Sequence, residues 1–78
     1  MSKVDKIIEK FKRSNAGQKF EDCEKVLFAL GFVLKRTNGS HHQYKNGSLL
    51  LTIANHKPVA KDAVNDILKL WEKHYEQK

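Results

Sequence analysis

At 78 residues the chain has room for one domain and one modest core, and its hydrophobic share of 40% with seven aromatic residues argues against disorder. Fifteen Lys and Arg against nine Asp and Glu leave a net charge of +6, which favours a polyanion or an acidic protein as partner without saying which. The single Cys23 excludes an internal disulfide and a paired-thiolate zinc site. No apolar run approaches the roughly 20 residues of a bilayer span, and no signal-peptide core follows Met1-Ser2-Lys3, so a cytoplasmic protein without a membrane partner is expected.

Val4, Ile7, Ile8 and Phe11 recur at helical spacing among charged residues, which predicts an amphipathic helix over 3–13, stopped by Ser14-Asn15-Ala16-Gly17. Phe20, Cys23, Leu27 and Leu30, flanked by Val26, predict a second helix closed by Gly31 as a left-handed residue. Three strands follow: Phe32 to Arg36, Ser40 to Lys45, and Ser48 to Ala54, separated by Thr37-Asn38-Gly39 and by Asn46-Gly47. Asn46 and Gly47 read as the two central residues of a type I′ hairpin turn, where both need positive φ. After Asn55-His56-Lys57-Pro58, the stripe Val64, Ile67, Leu68, Trp71 and Tyr75 predicts a closing helix. The expectation is a single α+β domain over 1–78, ordered α-α-β-β-β-α. Its core spans about 18–76 with the first helix as an extension, and its helices gather on one face of a three-stranded antiparallel sheet.

Four histidines invite a metal reading, but His41 and His42 are neighbours on a predicted strand and point to opposite faces. His56 and His74 sit on separate elements without carboxylates at ligand spacing, so no metal is expected. No phosphate-binding loop, dinucleotide fingerprint or catalytic triad pattern is present, and no cofactor is expected. Alternation puts His42 and Tyr44 on the core side and His41, Gln43 and Lys45 on the other. An outward His41 can exchange a proton near neutral pH. Lys35, Arg36, Ser40, Lys45, His56 and Lys57 are the candidate RNA-binding rim around it. These residues alone leave three readings open: a nuclease, a non-catalytic RNA-binding module, and an interaction domain for an acidic protein.

The stretch Leu30-Gly31-Phe32 through Gly39-Ser40-His41-His42-Gln43-Tyr44-Lys45, then Leu51-Thr52-Ile53-Ala54-Asn55-His56 and Val64 to Leu68, resembles the HicA family of bacterial toxins. The resemblance covers roughly residues 20 to 70. It implies a fold like a double-stranded-RNA-binding domain and a metal-independent endoribonuclease that cleaves mRNA, held inactive by a HicB-type antitoxin. Carried onto this chain, the Gly-Ser-His motif makes His41 the catalytic candidate, with His42 as the alternate. Ala54 stands where the family usually has Pro, and the helix over 3–13 extends beyond the shortest members.

Overall fold

The structure is a computed structural model that describes residues 3–76. Helix α1 (Lys3–Arg13) and helix α2 (Phe20–Ala29) precede strands β1 (Val33–Asn38), β2 (His41–Asn46) and β3 (Leu49–Ala54). Helix α3 (Lys61–Trp71) follows and runs into a π-helical turn at Glu72–Glu76. The strands form one antiparallel sheet in the order β1-β2-β3. From α2 onward this arrangement is compatible with a double-stranded-RNA-binding-type domain, and α1 is added in front of it.

The helices form because each carries one apolar stripe and buries it against the same core. Ile7, Ile8 and Phe11 come from α1, Cys23, Val26 and Leu27 from α2, and Val64, Ile67 and Trp71 from α3. They meet Tyr44 and Ile53 on the inner face of the sheet, with Leu30, Phe32 and Val59 filling the ends. Helix α1 therefore contributes to the same apolar core as the elements that follow it. Gln18 fixes the link from α1 to α2: its side-chain amide donates to the carbonyl oxygen of Ser14 at 2.8 Å, and its own carbonyl accepts from the Val59 amide at 3.0 Å.

At the end of α2, Gly31 takes φ +92°. Its amide bonds the Phe28 carbonyl, and the Phe32 amide bonds that of Leu27, both at 3.0 Å. This closure satisfies two free helix carbonyls, and a side chain at Gly31 would be strained there. The Asn46 side chain donates to the Leu30 carbonyl at 3.0 Å, tying the end of β2 to the end of α2.

That contact bears on the hairpin, which differs from the type I′ expectation. Asn46 pairs with Leu49, so the central residues are Gly47 and Ser48, and positive φ occurs at Gly47 (+61°) but not at Asn46. Positive φ at the first central residue, Gly47, and not at the second, Ser48, belongs to a type II′ turn. The first hairpin is built alike: Asn38 pairs with His41 across Gly39 (φ +62°) and Ser40. The strand boundaries at the two turns are thus displaced from those expected, since β1 runs on to Asn38 while β2 and β3 begin only at His41 and Leu49. Asn38 and Asn46 are strand ends and not turn centres, because the Gly-Ser pair supplies the turn in both places. The predicted stripe on α3 also ends early. Tyr75 lies in the π-helical turn at 44% exposure, its ring 4.3 Å from that of Trp71.

Candidate nucleic-acid interface

The sheet places its side chains in two sets. On the helix side, His42 pairs with Ile53, Tyr44 with Leu51, and Asn46 with Leu49. On the open side, three cross-strand rows run over the surface: Asn38–His41–Ala54, Arg36–Gln43–Thr52 and Val33–Lys45–Leu50. His41 is exposed and His42 half-buried, the arrangement that strand alternation predicts.

Strand β1 changes register between Leu34 and Arg36, leaving Lys35 as the extra residue of a bulge. A bulge turns adjacent side chains toward the same face, and here it brings Lys35 to Lys45. The Lys45 ammonium, more than Arg36, holds Lys35 below the usual lysine range. Two like charges at this spacing repel, and a polyanion laid across them relieves the repulsion. Lys35, Arg36 and Lys45 thus form one cationic field on the open face. His41 lies one row from Arg36 and about 13 Å along the strand from Lys45, at roughly 3.3 Å per residue.

Ser40, His56 and Lys57 belong to the turn and the loop at the end of the sheet away from Lys45. The Asn55 amide donates to the Ser40 carbonyl at 2.7 Å, which pins the loop after β3 to the Gly-Ser turn preceding His41. Lys57 does not join Lys35 and Lys45. It lines a cleft of about 700 Å³ between Gly17–Glu21 and the loop residues Asn55 and Pro58. Phe20 forms part of that cleft wall, and its ring lies 4.8 Å from the ring of His42. The His42 Nδ1 atom is buried with no hydrogen-bond partner among the described residues. The two histidines therefore occupy different environments, His41 beside cations on the open sheet and His42 against an aromatic ring on the helix side.

The sequence did not point to the 700 Å³ cleft, because its two walls are 34 or more residues apart and only the fold brings them together. Nor did it point to Thr52, which is assigned to the open face only by the β2–β3 register. Below the site, the Tyr44 hydroxyl donates to the Glu24 carboxylate at 2.6 Å, and burial, aided by that bond, pushes its pKa up. Tyr44 is fully buried and anchors the middle of β2 to α2. Among the described residues no group of three or more His, Cys, Asp or Glu could hold a metal ion, and no helix is long and apolar enough to cross a membrane.

A family model described as the HicA toxin of bacterial toxin-antitoxin systems matches residues 20–71, more than half of the chain. No curated protein and no solved structure matches it.

Proposed function

The chain belongs to the HicA toxin family, and from that premise we propose that it is an endoribonuclease that cleaves mRNA without a metal or other cofactor. The observation that carries the reading is the open sheet face, where an exposed histidine shares one surface with Lys35, Arg36 and Lys45. RNA phosphates lie over these three cations, and Ser40, His56 and Lys57 contact the strand beyond His41. Neutral His41 takes the proton of a 2′-hydroxyl. The freed oxygen bonds to the adjacent phosphorus, the bond from phosphorus to the 5′-oxygen breaks, and that oxygen takes a proton from solvent. The products are a 2′,3′-cyclic phosphate and a 5′-hydroxyl, and DNA is spared because it lacks the nucleophile. A HicB-type antitoxin is the partner that restrains this activity.

Induced expression of wild type, His41→Ala and His42→Ala tests the assignment, with folding and abundance checked for each variant. Growth arrest by wild type and His42→Ala but not by His41→Ala is expected, with cleavage reduced about 10²-fold or more by loss of the base. Rescue by His42→Ala alone moves the chemistry to the helix side, beside Phe20 and the cleft. Products with 5′-phosphates, or cleavage abolished by EDTA, overturn the mechanism. A harmless wild type that binds RNA leaves a non-catalytic RNA-binding module.

A further inference from the structure

The sheet has two edges, and they are built differently. The β1 edge is interrupted by its bulge and carries Lys35 and Arg36, features that discourage another strand from pairing there. The β3 edge has neither. Its sequence Leu49-Leu50-Leu51-Thr52-Ile53-Ala54 contains no charge and no proline, and its pairing with β2 runs without a register shift. Leu49 and Leu50 are 52% and 59% exposed. No strand among the described residues pairs with the outer side of β3.

Register identifies the backbone groups left free. The tight Gly47-Ser48 turn makes Asn46 and Leu49 a hydrogen-bonded pair, and alternation in an antiparallel ladder then turns the N–H and C=O groups of Leu50 and Thr52 outward. Beside this edge runs a groove between β3 and α3, lined by Phe32, Leu49, Leu51 and Leu70. Its rim on α3 and the π-helical turn carries Lys69 and Lys73 against the single Asp66.

We propose that the β3 edge receives an extended segment of a partner protein as a fourth strand, with apolar side chains entering the groove and neighbouring carboxylates meeting Lys69 and Lys73. Charge selects this occupant over a second copy of the chain, since edge-to-edge pairing of two copies would join two +6 molecules and bring their lysine rims together. The inference rests on the toxin–antitoxin reading only for the existence of a protein partner, the antitoxin.

The test uses a HicB-type antitoxin, purified and titrated against wild type, Thr52→Pro and the double variant Lys69→Glu/Lys73→Glu. Proline at position 52 removes an outward N–H and no β2–β3 bond, so the sheet survives while the edge is blocked. Thermal melting and near-UV circular dichroism confirm that each variant is folded. At least tenfold weaker binding by both variants is expected, together with slowed amide exchange at Leu50 and Thr52 in the wild-type complex. Wild-type affinity in Thr52→Pro overturns the edge assignment even if the toxin is active. A wild-type chain that dimerises alone, and becomes monomeric as Thr52→Pro, makes the occupant a second copy and overturns the choice of partner. Absence of any antitoxin complex with wild type removes the premise and the inference together.

Discussion

Cys23 and Tyr44 are the two titratable groups that the core perturbs most. Burial, reinforced by the Asp22 carboxylate, pushes the Cys23 thiol up to about 12, and Tyr44 is raised by burial and by its bond to Glu24. In both, the neutral form is favoured by folding, and the unfolded chain loses protons first as pH rises. Folding stability is therefore fully present below the ordinary thiol pKa of about 9 and declines as pH climbs from there toward 12. Urea midpoints measured between pH 7 and pH 10.5 should fall with pH, and Cys23→Ala should flatten part of that slope whatever its effect at neutral pH. An equal slope in the variant would show that Cys23 ionises as freely in the folded chain as in the unfolded one. The same burial keeps the thiol protonated and inert, so this cysteine is a core side chain and no nucleophile.

Among the elements, α1 shows how far a matched region can differ from a folded unit. It precedes the residues matched to the toxin family, yet Phe11 is 1% exposed and packs with α2 and α3. Lys10 adds an ion pair to Asp22 at 2.9 Å, but with the Lys10 side chain half exposed that pair contributes little beside the apolar contact. Phe11→Ala should destabilise the chain by about 3–5 kcal/mol, the range for emptying a buried aromatic site. A denaturation curve gives the value, and a loss below about 1 kcal/mol would make α1 a dispensable attachment. Strand β2 holds its place through both ends and its middle: Asn46 reaches Leu30, Tyr44 reaches Glu24, and the Ser40 carbonyl accepts from Asn55. The candidate histidines thus sit on the strand that is paired on both sides and tethered to α2.

For the whole molecule, the consequence is a division of labour between surfaces. The helices cover one face of the sheet, the open face carries the cationic field with His41, and the β3 edge adjoins the apolar groove beside α3. If Lys35 and Lys45 each neutralise a phosphate, the double variant Lys35→Ala/Lys45→Ala should bind single-stranded RNA more weakly and lower the log–log salt slope by about 1–2, at roughly 0.7 per contact. An unchanged slope would place the RNA elsewhere. Net charge alone does not predict this localisation, because fifteen cations are spread along the chain and only register and the β1 bulge bring Lys35 beside Lys45.

The sequence by itself determined the order of elements, the stripes that became the core, the left-handed close of α2 at Gly31, the separation of His41 from His42 and the resemblance to a toxin family. All of these depend on spacing along one segment or on a local motif, where backbone geometry translates period into direction. The tertiary structure alone decided which residues turn the hairpins, since Asn46 tolerates a turn in isolation but is committed to the Leu30 carbonyl in the fold. It also decided the place of Lys57 in a cleft, the membership of α1 in the core and the difference between the two sheet edges. Each of these joins residues distant in sequence, and no periodicity along a single segment encodes which distant surface will come to lie against it.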